Sequence, residues 1–434
     1  MFDELFVPTE FREATSDVAW LQALLDAEAA LAGAAARTGL IPVDAAEAIA
    51  AACRAEAFDP AAIGEAGRAA GNPVEPLVRA LREAVGDGAA GYVHWGATSQ
   101  DILDTGAMLV ARRVLDLLFA QVDGAATRCA ALASEHRATP MVGRTLLQHA
   151  VPTTFGAKAA GWLVALVEVR TVLARVRDER LAVQLGGAAG TLAAFGDRGE
   201  EVLRHYAESL ALAEPAVPWH TDRTRVGELA AGLALAAGVV EKVARDVILL
   251  SQTEVGEVTE GSTGGSSTMP HKQNPVRSTL AIACARQVLG ASVVLLGAMP
   301  QEHERAAGAW HAEWPALKNA LAFAGGAVSA LADVLTRLRV DTERMRANLA
   351  LLGDAVMAER LSFALADRLG RRDAHDLVSR ANSSTAKLRD AVLSDERNVL
   401  TAAELDELLD PITYLGSADR FVDRALGLYA EIQR

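Results

Sequence analysis

Twelve consecutive residues, Gly264-Gly265-Ser266-Ser267-Thr268-Met269-Pro270-His271-Lys272-Gln273-Asn274-Pro275, set a hydroxyl, a cation and a carboxamide beside glycines. Gly261, Gly264 and Gly265 allow positive φ and close approach to a ligand, whereas Pro270 and Pro275 fix φ on the far side. Ser266 can move a proton, Lys272 offers a point charge to a carboxylate, and Asn274 offers amide donors at the expected start of a helix. The chemistry this suits is proton exchange beside a carboxylate. A Ser/Gly-rich surface turn would explain the glycines but not the Met-Pro-x-Lys-x-Asn-Pro that follows them.

Three further clusters carry polar groups at useful spacing. In Tyr92-Val93-His94-Trp95-Gly96-Ala97-Thr98-Ser99-Gln100-Asp101, Thr98 or Ser99 is placed to cap a long helix whose N-terminus would attract an anion. An ordinary capping box, Thr98-x-x-Asp101, accounts for the same residues equally well. In Gly143-Arg144-Thr145-Leu146-Leu147-Gln148-His149-Ala150, Arg144 can clamp a carboxylate, Thr145 and Gln148 can hydrogen-bond one, and His149 either caps or moves a proton. Arg305, within Met299–Trp314, is a further candidate clamp, although Arg and Glu interleaved so densely also suit an ion network. Arg223 and Arg225 are left open. The glycines of Gly186–Gly190 lack the Gly-x-Gly-x-x-Gly order and a preceding strand, so they read as a turn that ends a helix. No Walker or His-Glu-x-x-His pattern occurs, and no cofactor or metal is expected.

The Gly-Ser-Ser-x-Met-Pro-x-Lys-x-Asn-Pro run resembles the signature of the fumarase/aspartase superfamily, where it forms a mobile loop carrying the catalytic base. Within that superfamily the chain is most similar to the 3-carboxy-cis,cis-muconate cycloisomerases, from Phe11-Arg12-Glu13 to Tyr414-Leu415-Gly416. The resemblance implies Ser266 as the proton-exchanging residue, with His94 and His149 as further catalytic candidates. It implies substrate contacts from Thr98, Ser99, Arg144, Thr145, Gln148, Lys272, Asn274 and Arg305. Many members carry Thr-His where this chain has Thr145-Leu146, so the favoured acid is missing, as it is in the cycloisomerase branch. The substrate implied is a small polycarboxylate, the assembly a homotetramer whose active sites are shared between subunits. The rival implied by the same loop is a fumarate-releasing lyase of the nitrosuccinate, adenylosuccinate or argininosuccinate type.

The elements that would hold these residues are helices. At 434 residues the chain exceeds one typical domain, and its apolar half (51%) is poor in aromatics (5%), so Ala, Leu and Val must make the core by close helix packing. Ser16 and Gly39 bracket a first helix running to Arg37. Apolar seams at steps of three and four run Val226–Leu250, Leu317–Leu338 and Leu103–Leu117. The expected fold is all-α in three parts: an N-terminal helical domain (1–97), a central bundle of long helices carrying the catalytic loop (98–340), and a C-terminal helical domain (341–434). Apolar surface on several sides of the long helices calls for burial between subunits.

The net charge of −14 disfavours nucleic acid and anionic membrane as partners, so cations for an anionic substrate must be gathered locally. Cys53, Cys129 and Cys284, odd in number and without Cys-x-x-Cys, suit a reducing cytoplasm. Met1-Phe2-Asp3-Glu4-Leu5 lacks the basic start of a signal peptide, and charges interrupt the apolar runs, so no membrane segment is expected.

Overall fold

The computed structural model describes residues 1–433 except 262–263, 266–268, 270–271, 383–387 and 398. The all-α expectation holds: helices dominate, and the strands among the described residues are six short segments. Six long helices carry the argument: α1 (Asp17–Arg37), α2 (Ser99–Glu135), α3 (Phe155–Arg175), α4 (Thr224–Leu250), α5 (Val276–Gly297) and α6 (Ala309–Arg337). The chain divides into two compact units. The first holds residues 1–122, 169–241 and 280–330; the second holds 123–168, 242–279 and 331–434.

In the first unit, α1 begins as its sequence dictates, with the Ser16 side chain accepting from the Ala19 amide, and it stops where Gly39 turns left-handed at φ 75°. It packs on α2 with little clearance: a Cβ on Gly106 would lie 2.7 Å from the Leu24 side chain. Phe11 is buried against Gly325 of α6, where a Cβ would meet its ring at 2.2 Å, so glycine is required there. The α4 seam is buried at every position from Val226 to Leu250, as is the α6 seam from Leu317 to Leu338. In the α2 seam Leu117 is only half-buried, and Leu118 takes the core position instead.

In the second unit, the longest β feature among the described residues is an antiparallel hairpin, β1 (Pro140–Thr145) and β2 (Gln148–Thr154), which helical periodicity gave no reason to expect. Its β-branched and proline-rich composition favours strand over helix. The register slips by one between Val142 and Arg144, where Ala150 and Val151 face Gly143. Short helices from Ala358 to Ile432 form the C-terminal part around Leu361, Leu365, Leu377, Val392 and Leu405. Arg137 ties the last of them down, bonding Asp419 at 3.0 Å and Asp423 at 2.8 Å.

Among the described residues three helices, α1, α5 and α6, are long and apolar enough to cross a bilayer by length and composition. α1 and α6 spend that apolarity on the interior. α5 does not: Leu289, Val293, Val294 and Leu296 face outward, Val293 with 72% of its surface exposed.

Candidate functional site

Thr98 and Ser99 open α2, and the geometry there is a capping box put to a second use. The Asp101 carboxylate accepts the Thr98 amide at 3.0 Å, as a box requires, but the Thr98 hydroxyl accepts from Arg305 Nη1 at 3.0 Å. Asp101 itself is buried and receives four donors: the amides of Thr98, Gly186 and Gly187, and His220 Nε2 at 2.6 Å. The Gly186–Gly190 run therefore exists to bring backbone amides onto a carboxylate. It follows an extended segment rather than ending a helix. A Cβ on Gly186 would lie 2.7 Å from the His220 ring.

The three open arginines separate sharply. Arg223 is 2% exposed and held on both sides by acids, bonding Asp104 at 2.8 and 3.0 Å and Glu313 at 3.0 and 2.6 Å. The Trp219 ring lies 4.9 Å from its guanidinium. Arg225 bonds the Arg180 carbonyl at 2.9 Å. Arg305 reaches only neutral oxygens, those of Thr98, Gly187 and Ala188, and no carboxylate partners it among the described residues. An ion network does form, but around Arg223. Arg305 thus keeps its charge uncompensated, beside the positive end of α2 and the Thr98 hydroxyl, an arrangement able to hold an anion.

His94 stands on the same segment with φ 63°, a backbone region that side chains avoid. Its Nδ1 lies 2.6 Å from Oε1 of Glu28, a fully buried acid on α1. Burial opposes charge on the imidazole, yet Glu28, and to a lesser degree Asp101, hold it above its ordinary range, with Arg82 opposing. Sequence reasoning missed Glu28. In an apolar helix such as α1 an isolated Glu at a core position was the available signal, since acids are rarely buried unpaired.

In the second unit, Arg144 is already spent. Its two terminal nitrogens bond the Glu257 carboxylate at 2.9 and 2.7 Å, and Asn348 Nδ2 adds a third donor at 2.8 Å. The expected free clamp is an internal one that fixes the hairpin, because Glu257 is buried and must be neutralised by the nearest cation. Thr145 and Gln148 pair across the hairpin end and are exposed. Between them Leu146 and Leu147 form the tip at φ 49° and 65°, 97% and 70% exposed. His149 Nδ1 is buried without a partner among the described residues, and burial followed by the Arg144 charge pushes its imidazole below the ordinary range. It is thus neutral at pH 7 rather than a standing acid.

Ser266 lies outside the described residues, but both ends of its loop are anchored. The buried Glu260 carboxylate accepts the Arg277 and Ser278 amides at 3.1 and 2.7 Å, capping α5 from across the loop. Gly264 and Gly265 pair with Asn274 and Gln273. A Cβ on Gly261 would lie 2.4 Å from the Arg337 carbonyl, and the residue adopts φ 69°. Lys272 is exposed and Asn274 half-buried. The candidates therefore fall into two groups: His94, Thr98, Ser99 and Arg305 in the first unit; Arg144, Thr145, Gln148, His149, Lys272 and Asn274 in the second.

An apolar cavity of about 400 Å³ in the first unit, walled by Trp20, Leu21, Leu24, Ile63, Leu103 and Trp314, contains none of these side chains. Among the described residues no cluster of His, Cys, Asp or Glu is placed to hold a metal ion. Cys53, Cys129 and Cys284 are free and buried.

Residues 8–290 match the family model described as lyase, and residues 354–425 the one described as adenylosuccinate lyase C-terminus. The chain is 49% identical to a 3-carboxy-cis,cis-muconate cycloisomerase of Pseudomonas aeruginosa, covering 98% of this chain and 95% of that one. It is 47% identical to a nitrosuccinate lyase of Streptomyces davaonensis, covering 96% and 92%. The crystal structure of a 3-carboxy-cis,cis-muconate lactonizing enzyme from Pseudomonas putida superposes with a TM-score of 0.93 over the whole of both chains, at 44% identity.

Proposed function

We propose, for a chain that belongs to the lyase family of the fumarase/aspartase superfamily, the lactonisation of 3-carboxy-cis,cis-muconate to 4-carboxymuconolactone. One substrate carboxylate adds through oxygen to a double bond conjugated with another carboxylate, and a proton is delivered to the adjacent carbon. A C–O and a C–H bond form as the double bond is consumed. The difficult species is the carbanion delocalised into a carboxylate, and its charge must be met by fixed cations and donors. Lys272 and Asn274 have the right chemistry for that, and Ser266 exchanges the carbon-bound proton. In the lactonising direction Ser266 gives up its hydroxyl proton, and an unassisted serine is a poor acid, so nearby positive charge and exclusion of water must favour the alkoxide it leaves.

The observation that carries this reading is Arg305, a cation that among the described residues bonds only neutral oxygens, at the N-terminus of α2. A buried or half-buried guanidinium without an acid is costly unless an anion completes it. Leu146 in place of a histidine is in keeping with the chemistry: a tethered carboxylate nucleophile needs no proton taken or given at oxygen, and tethering removes much of the entropic demand.

The homotetramer and the three-part division at 97/98 and 340/341 are part of the proposal. The outward valines and leucines of α5, with Leu235 of α4 and Val172 of α3, form apolar surface suited to a second copy of the chain. The split of candidates into two groups suits active sites completed by different subunits. Incubation of the purified protein with 3-carboxy-cis,cis-muconate, following loss of diene absorbance, tests the function. Fumarate release from nitrosuccinate without diene loss would assign it instead to the second chemistry, which similarity at 47% identity keeps in play.

A further inference from the structure

Glu28 and His94 form a charged pair for which the established part of the reading gives no use. The Glu28 carboxylate is 1% exposed, and its Oε1 lies 2.6 Å from His94 Nδ1. Its Oε2 is buried with no hydrogen-bond partner among the described residues. A carboxylate in that position is tolerated only if its one partner carries the opposite charge. The other groups facing the pair do not supply it. Burial and the neighbouring acids hold the Cys53 thiol up at about 12, and burial keeps the Tyr206 hydroxyl protonated, so both are neutral. From the helix Val74–Val85, Arg82 opposes charge on His94 and gives a hydrogen bond to the Val93 carbonyl at 3.3 Å; from α2, Asp101 favours it. The imidazole is also held in an unusual pose. A non-glycine residue at φ 63° costs roughly 1 kcal/mol, and the segment is locked by Gly96, at φ 71°, against the Phe195 ring.

We propose that Glu28 is a positioning residue that keeps His94 doubly protonated, with Nδ1–H committed to the acid and Nε2–H left as a charged donor for a substrate carboxylate. The inference rests on the functional reading above and deepens it. A tricarboxylate substrate needs more cations than a dicarboxylate one; in the first unit Arg305 is one and a protonated His94 a second, so the Glu28–His94 pair favours the substrate of larger charge.

Two measurements test this. The first is an NMR titration of the His94 ring in the wild-type protein and in Glu28→Gln. The wild-type midpoint is expected above the ordinary 6.5, with the Nδ1–H retained, and the variant midpoint below it, because burial then acts unopposed by Glu28. A wild-type midpoint below 6.5 overturns the proposal, whether or not the variant folds. The second is the pH dependence of kcat and KM. At pH 8, Glu28→Gln is expected to raise KM for the tricarboxylate by about tenfold or more, the loss of a charge-assisted hydrogen bond, while kcat changes little. The defect should shrink at pH 6, and Glu28→Asp should restore part of the loss. A folded Glu28→Gln protein with an unchanged KM profile overturns it. If the wild type turns over no tricarboxylate, the functional reading fails and the cation tally with it, while the titration still decides whether Glu28 holds the proton on His94.

Discussion

Replacing Arg223 with Met separates a structural cation from a substrate-binding one. The Arg223 guanidinium is 2% exposed and makes four hydrogen bonds to two buried acids, Asp104 and Glu313. Those acids have other donors: Trp310 Nε1 reaches Asp104 at 3.0 Å, Gln100 reaches it at 3.1 Å, and Gln301 reaches Glu313 at 2.9 Å. None of these brings a charge. Methionine fills much of the volume but leaves two carboxylates in the interior without a cation, which costs about 3–5 kcal/mol when one partner of a buried pair is removed. Against a typical net stability of about 5–15 kcal/mol, that is a large fraction.

The pH dependence identifies the cause. In the wild type, burial already raises Glu313 above the usual carboxylate range in spite of Arg223. Without Arg223 the folded-state value rises further, while the unfolded value stays near 4.5. A group raised in the folded state contributes stability that is full below its unfolded value and is lost as pH rises through its folded value. The deficit of Arg223→Met relative to wild type should therefore be smallest near pH 5 and grow towards pH 8, by at most about 1.4 kcal/mol per pH unit for each proton involved. Urea denaturation of both proteins at pH 5, 6, 7 and 8 measures it. Wild-type stability at every pH, together with a raised KM, would refute the reasoning and make Arg223 a substrate ligand.

Arg305→Met should do the reverse, leaving the denaturation midpoint close to wild type while raising KM by about tenfold or more, since its charge has no acidic partner among the described residues to abandon; a large stability loss with unchanged KM would contradict this. The paired substitution Leu146→Asn with Leu147→Gly installs the residues that a two-residue turn with both φ positive favours, and should relieve about 1 kcal/mol per position, partly offset by the entropy of glycine. Thermal denaturation is expected to shift upward and turnover to fall, and full turnover would remove the hairpin tip from the proposed site. Ser266→Ala should abolish turnover while the assembly state measured by sedimentation stays unchanged; retained turnover would exclude this serine as the proton-exchanging group.

Much of the fold could be read from the chain because its signals are local. The Ser16 cap, the Gly39 stop and the α4 and α6 seams each follow from a period or a backbone preference. The hairpin could not be read so, because β1 and β2 are short and their register is set by a slip opposite Gly143 and by Arg144 meeting Glu257, which lies 113 positions away. The same distance problem governs the site. Residue type marked Arg144 and Arg305 as candidate clamps and left Arg223 open, for a guanidinium suits any carboxylate. Which carboxylate each one meets depends on Glu257, Asp104 and Glu313, acids that sit in helical or irregular segments with nothing in their neighbours to mark them. Glu28 is the same case seen from the acid side, since its partner is 66 positions on.

That contrast is also the reason to place the chemistry where it is placed. A chain with net charge −14 has acids to spare for its interior cations, and a cation so paired cannot pull on a substrate. Arg223 has two acids, Arg144 has one, and Arg305 has none among the described residues. The Gly187 and Ala188 carbonyls and the Thr98 hydroxyl orient Arg305 without neutralising it, and the Asp101 carboxylate is taken up by three amides and His220. Asp101 therefore protects the Arg305 charge by being fully occupied. Freeing it should be felt at Arg305: in His220→Ala, a carboxylate oxygen loses its shortest contact and becomes available to that cation. The expected result is a weaker hold on substrate carboxylates, read as a rise in KM that vanishes in the Arg305→Met background. Additive effects of the two substitutions on KM would show that Asp101 and Arg305 act independently.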